Sequence, residues 1–215
     1  IAIGAATDPY QPAEGRYRLT RSCLEALRDA SNPFSIITRG PLIVRDADVL
    51  AEASQRADVS VTFSVPTLDD EIWRRTEPGT AHPRQRLRAL KVLVNAGVRA
   101  SVGMAPLLPG ISDQPALIEQ VVREAREAGA CGVWANLLNL RPGTREHFLE
   151  KLAEDYPEQL PAYARLYSRK AYLSSAETKP VRALVRDLNR RHGIRDRRRT
   201  RFVPEPEPEQ LALAL

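Results

Sequence analysis

The 215-residue chain carries 43% hydrophobic and 27% charged residues, enough apolar material for one domain with a substantial core and too much for an intrinsically disordered protein. Its net charge of +5 is a local feature: residues 179–201 hold ten of the 32 Lys and Arg against two of the 27 Asp and Glu, which leaves 22 basic against 25 acidic side chains elsewhere. No apolar run has the length of a membrane helix and no signal peptide is visible, so a cytoplasmic protein without membrane contact is expected. Cys23 and Cys131 are the only cysteines, and they are too far apart in sequence to read as a disulfide framework or a metal pair.

The chain opens on an apolar run over 1–6 without alternation, the pattern of a strand covered on both faces, with Gly4 permitting close backbone approach. Thr7-Asp8-Pro9 ends it with a polar turn. A helix is expected over 15–31, stopped by Asn32-Pro33, then a strand over 34–38 and a helix over 45–57 with Asp46 or Asp48 near its start. A third strand follows at 59–65, a short helical turn at 67–76, a loop at 77–83 and a helix over 84–96 closed by Gly97. The fourth strand is expected over 99–105, then a helix capped by Ser112 or Asp113 and stopped by Gly129, and a fifth strand over 131–138. Helices at 144–154, 157–172 and 179–192 complete the body, the second with tyrosines that can pack it onto the rest. A domain covering 1–175, a C-terminal helix over 176–193 and an unstructured tail over 194–215 are expected.

Strands alternating with helices argue for parallel β/α units, and both a doubly wound sheet and a β/α barrel fit that rhythm. Neither G-x-G-x-x-G after the first strand nor G-x-x-x-x-G-K-[ST] is present, which argues against a dinucleotide or P-loop site. Polar residues recur at strand ends: Thr7 and Asp8, Thr38 and Arg39, Ser64 and Thr67, Pro106, and Asn139 with Arg141. In a β/α barrel these converge on one mouth. His82, His147 and His192 are scattered and read as surface residues.

Six motifs in order then carry a resemblance: G-x-x-T-D-P-Y-Q-P-A-E, I-T-R-G-P-L-I-x-R-D, V-S-V-T-F-S-V-P-T-L-D, E-P-G-T-x-H-P-R-x-R-L, A-P-L-L-P-G-I-S-D and L-R-P-G. Together they resemble the radical SAM superfamily, in the subgroup related to spore photoproduct lyase, over residues 1–175. The resemblance implies an α/β fold, a partial (β/α)6 TIM-like barrel, which holds a [4Fe–4S] cluster and S-adenosylmethionine at its mouth. It also implies reductive cleavage of the sulfonium to a 5′-deoxyadenosyl radical, with flavodoxin or ferredoxin as reductant. The cluster takes three cysteines spaced C-x-x-x-C-x-x-C, which this sequence lacks. Residue 1 falls inside what would be the second strand, so the cluster ligands are expected upstream, beyond a truncation, a fragment boundary or an intein.

By the same resemblance Thr7 and Asp8 face the methionine ammonium, a sensible partner for a carboxylate, although Asp8 also suits an Asx turn before Pro9. Arg39 stands where relatives carry Lys and would hold the methionine carboxylate. Ser64 matches a serine that contacts the cofactor, and its alternative is a capped turn before Pro66. Glu77 and Arg86 would pair and fix their loop over the cofactor, or form a structural ion pair worth roughly 0–1 kcal/mol if exposed. Ala105, followed by Pro106, leaves room for an adenine. The basic strip from Arg190 to Arg201 reads as a possible phosphate contact, and the end from Gln210 to Leu215 partly resembles the peptide that docks on the bacterial DNA sliding clamp. Two functions follow: a radical SAM enzyme with chemistry of the DNA-repair type, or an inactive barrel remnant that binds nucleic acid or a replication partner.

Overall fold

The computed structural model describes residues 1–168 and 170–196. Five parallel strands lie side by side in chain order: β1 (Ala2–Ile3), β2 (Phe34–Thr38), β3 (Val59–Ser64), β4 (Arg99–Leu107) and β5 (Val133–Leu137). The order never reverses, whereas a doubly wound sheet reverses at its switch point. Successive crossovers of one hand then keep the helices on one face, and the twisted sheet wraps as a partial barrel. The helices are α1 (Glu14–Tyr17), α2 (Leu19–Asp29), α3 (Ala47–Arg56), α4 (Asp70–Thr76), α5 (Pro83–Asn95), α6 (Pro115–Ala128), α7 (Thr144–Asp155), α8 (Leu160–Leu166) and α9 (Ser175–Arg191).

Burial alternates along β2 and β5. Phe34 and Ile36 of β2, and Val133 and Ala135 of β5, point into a core shared with Leu24, Leu50, Leu90, Val121 and Leu188 of the helices. Ser35, Ile37, Trp134 and Asn136 point the other way, to a concave face of lower burial. A second core forms where Leu108, Leu138, Leu140 and Leu152 meet Tyr163 and Tyr167. The Tyr167 hydroxyl donates to the Leu138 carbonyl at 2.7 Å, tying the α7–α8 segment to the end of β5.

Several expectations change. The first strand pairs over only two residues, and Ile1 is exposed, because it is an edge with one neighbour and not a strand covered on both faces. The helix expected over 15–31 breaks at Arg18, whose φ of 53° is left-handed. The segment Pro41–Asp46 is a 3-10 turn before α3, and the fully buried Asp46 carboxylate caps nothing: three other side chains claim it. Neither Ser112 nor Asp113 caps α6. Ser112 Oγ accepts from the Leu108 amide and Asp113 from the Gly110 amide, shaping the preceding loop instead. The helix expected over 157–172 is a 3-10 turn, Pro157–Gln159, followed by the shorter α8. The last helix starts four residues earlier than expected because Ser174 and Glu177 form a capping box.

Gly4 shows why the chain turns where it does. Its φ is +89°, and a Cβ there would lie 2.1 Å from the Ile37 carbonyl oxygen, so no side chain is tolerated as β1 runs into the polar turn. Amide exchange measures the edge: Ala2 and Ile3 are expected to exchange at least about a hundredfold faster than Val61 and Val102 in the central strands. Equal protection across the sheet would contradict a two-residue edge strand.

Candidate functional site

The carboxyl ends of β1 to β4 open onto a cavity of about 260 Å³ on the concave face, lined among others by Thr7, Asp8, Thr38, Arg39, Ser64 and Ala105. Its walls are held from behind. Asp8 accepts from the Tyr10 amide at 2.9 Å, the Thr38 hydroxyl at 2.7 Å and the Arg39 amide at 2.6 Å. One carboxylate thus makes an Asx turn and fastens the end of β1 to the end of β2. Thr7 is exposed at the rim, where its hydroxyl accepts from the Gln11 side chain.

Arg39 leaves β2 with its side chain 41% exposed, and its Nε lies 3.0 Å from Glu77 Oε1. Glu77 is 7% exposed and its Oε2 lies 2.9 Å from Arg86 Nη2. Neither Glu77 oxygen accepts a well-aligned hydrogen bond, so charge contact is what holds this carboxylate. Arg86, on α5, is fully buried. It donates to the Ala81 carbonyl, the Ser64 carbonyl and the Thr80 hydroxyl, each at 2.8 Å. Burial pulls the Arg86 guanidinium below its ordinary pKa, against the opposing pull of Glu77. The expected Glu77–Arg86 pair is therefore present, and it is buried and not exposed. Two guanidiniums share the Glu77 carboxylate, so Arg39 is only partly neutralised by it, and the Asp8 carboxylate lines the same cavity. Ser64 Oγ donates to the Ala105 carbonyl at 3.2 Å, linking β3 to β4 across the floor.

Not every polar strand end reaches this mouth. Thr67 and Pro106 line a neighbouring, more apolar cavity of about 470 Å³, which touches the first through Arg39. Asn139 and Arg141 line neither cavity, and Arg141 packs on the Tyr172 ring at 5.5 Å. Of the histidines read as surface residues, His147 is exposed, at the edge of the apolar cavity, while His82 and His192 are half-buried: His82 caps α5 and lies 2.9 Å from Asp70, and His192 lies 3.1 Å from Glu119. Arg190 and Arg191 pair with Asp187 on their own helix, which neutralises part of the basic strip. Residues 197–201 of that strip and the clamp-like end from Gln210 to Leu215 lie outside the described residues.

Sequence reasoning missed the polar network that braces the turn after β1. Glu14 is buried and accepts from the Thr20 amide at 2.9 Å and from Arg45 Nη2 at 2.7 Å. Arg45 also donates to both oxygens of Asp46, which receives Arg21 Nη1 at 3.2 Å and the Tyr10 hydroxyl at 3.1 Å. Burial pushes the Glu14 and Asp46 carboxyls up, but the donors around them win and hold both below the usual carboxylate range. Arg21 holds Asp48 down to about 2. Burial raises the Tyr10 phenol, and the Asp46 charge raises it further. The only hint in the sequence was that Tyr10, Glu14 and Arg45 all fall inside the quoted motifs.

A cluster needs ligands, and these residues do not supply them. Cys23 is exposed on α2 and Cys131 is half-buried before β5, and no group of three or more metal-ligating side chains occurs among the described residues. The methionine end of S-adenosylmethionine, with its carboxylate and ammonium, does fit the cavity. The half-exposed Arg39 cation and the Asp8 carboxylate provide charges of both signs beside a cradle of Gly4, Ala6, Gly103 and Ala105.

The family model of the radical SAM superfamily matches residues 1–121. The chain belongs to that superfamily. It is 37% identical over 213 residues to an uncharacterized protein of Mycobacterium tuberculosis, covering 99% of this chain and 62% of that protein. An uncharacterized protein of Methanocaldococcus jannaschii is 25% identical over 174 residues, covering 80% of this chain and 62% of that protein. The chain thus spans less than two thirds of the length of these relatives. Among solved structures, a mutant of spore photoproduct lyase with bound AdoMet and dinucleoside spore photoproduct superposes with a TM-score of 0.66 at 14% identity, over 87% of this chain and 57% of that one. The partial barrel is therefore the fold shared with spore photoproduct lyase.

Two measurements probe this site. Arg86→Met removes the buried countercharge of Glu77, leaving it only the half-exposed Arg39, and is expected to cost about 3–5 kcal/mol in chemical denaturation, with part of it recovered when Glu77→Gln is added. A loss under about 1 kcal/mol would show the pair is not a structural anchor. Carboxyls with depressed folded-state pKa values stabilise the fold above their unfolded value and lose that contribution as pH falls through the folded one. For Asp48 the window runs from about pH 4 down to about pH 2, and Glu14 and Asp46, also held below the usual carboxylate range, lose their contribution in the same direction as pH falls. The melting temperature should fall across it, more shallowly in Arg21→Met, and an identical slope in that variant would contradict the network.

Proposed function

We propose that the chain is the cofactor-facing part of a radical SAM enzyme, with the cluster bound by cysteines outside these 215 residues. One observation carries the reading: in a chain of this superfamily, Asp8, Arg39, Ser64 and Ala105 converge on a single cavity at the strand carboxyl ends, where parallel β/α folds place their ligands. Arg39 would take the methionine carboxylate, with Glu77 fixing its direction and Arg86 fixing Glu77. Thr7 and Asp8 would face the ammonium, Ser64 would contact the cofactor, and the small side chain of Ala105 would leave space for adenine. When bound and reduced beside a cluster, S-adenosylmethionine supplies hydrogen abstraction. The residues here bind and orient it and keep its charged end out of bulk water.

A nucleic-acid substrate and repair-type chemistry are part of this proposal, supported by the fold shared with spore photoproduct lyase, as are a flavodoxin or ferredoxin donor and a cytoplasmic location. Among the described residues no helix is long and apolar enough to cross a membrane.

The test is product formation. The whole protein containing this chain, loaded with cluster and reduced, is expected to release 5′-deoxyadenosine from S-adenosylmethionine. Arg39→Ala should raise the KM for S-adenosylmethionine about 10- to 100-fold, the loss of one charge-assisted contact, and Arg39→Lys should recover most of it. Fully loaded, reduced protein that yields no 5′-deoxyadenosine would overturn the assignment.

A further inference from the structure

Trp134 has no part in the site described so far, yet it lines the same cavity. Among the described residues it is one of the few large apolar side chains left open, 39% exposed, in a cavity lined otherwise by Gly, Ala, Ser and Thr with Ile37, Asp8 and Arg39. Its neighbour across the sheet is Gly103, paired with it in register, and Gly103 pairs in turn with Ser64. A Cβ at position 103 would lie 2.7 Å from Trp134 Cζ2 and 3.2 Å from Thr62 Cγ2. The indole therefore lies against the glycine backbone, and any other residue at 103 would push it off the sheet. Thr62, beside it, has its hydroxyl engaged with Ser101 at 2.9 Å, so the polar surface next to the ring is already satisfied.

An open indole held down in a cavity offers what a conjugated ring binds best: a rigid π-surface beside satisfied polar groups. The register also sets its depth. Ala105, where adenine is placed above, is two residues further along β4 than Gly103, about 6.6 Å nearer the mouth. Trp134 therefore lies one pleat beneath the position proposed for the cofactor.

We infer that Trp134 is the stacking platform for a flat conjugated ring of the second reactant, a pyrimidine or purine base, seated beneath the cofactor with Gly103 keeping the indole flat. This rests on the proposed cofactor position, but the stacking itself needs neither cluster nor reductant.

The chain contains two tryptophans, and Trp73 is tied to Thr80 and set edge-on to His82, so Trp73→Phe leaves Trp134 as the sole reporter. Thymidine is expected to quench that fluorescence saturably and ribose is not. Equilibrium dialysis of thymidine should weaken about tenfold or more in Trp134→Ala, stay within about threefold in Trp134→Phe, and weaken again in Gly103→Val, where the indole is displaced. Quenching that persists under saturating S-adenosylhomocysteine assigns the ring to the second reactant. Displacement of thymidine by that ligand would overturn the assignment, giving the platform to adenine. Absence of saturable quenching, or unchanged thymidine binding in a folded Trp134→Ala, would overturn the platform itself. Failure to form 5′-deoxyadenosine would leave all these readouts standing, so the two proposals fail separately.

Discussion

Arg86 enters the interior with a full charge, and the arrangement around it fixes the mouth of the sheet. A buried guanidinium is tolerated only where its donors are met and its charge is opposed. Here the acceptors are the carbonyl of Ser64 at the end of β3 and the loop residues Thr80 and Ala81, and the carboxylate of Glu77 opposes the charge. The loop over 77–83 cannot move without stranding that charge. Glu77 then spends its other oxygen on Arg39, so the cation at the cavity is aimed by a residue that never reaches it.

The rest of the architecture makes room for that cation. A sheet in unbroken chain order keeps its helices on one side and leaves the other face concave. Asp8 stitches the ends of β1 and β2 together at the lip, while Glu14, Arg45 and Asp46 brace the turn from below. The buried polar groups of this brace are closely satisfied, which is how a short, exposed edge strand can still deliver Thr7 and Asp8 to a defined place.

Much of this was legible in the sequence, and for identifiable reasons. The strands β2 to β5 announce themselves as β-branched and apolar runs closed by Gly, Pro or polar turns, and the quoted motifs contain Asp8, Arg39, Ser64, Glu77 and Arg86. What stayed hidden depends on contacts distant in sequence. Nothing local says that Asp46 turns inward to Tyr10 and Arg21 and does not cap α3, or that Arg18 is left-handed. The burial of Arg86 is invisible because a guanidinium in sequence reads as surface. Trp134 was overlooked because an aromatic residue in an apolar strand reads as core, and only the pairing with Gly103 shows which way it faces.

A crystal structure of the chain with S-adenosylhomocysteine bound tests the central claim most directly. The account predicts the ligand carboxylate within hydrogen-bond distance of Arg39, with the Arg39–Glu77–Arg86 array unchanged. A ligand bound elsewhere, or a carboxylate that leaves Arg39 uncontacted, would contradict it.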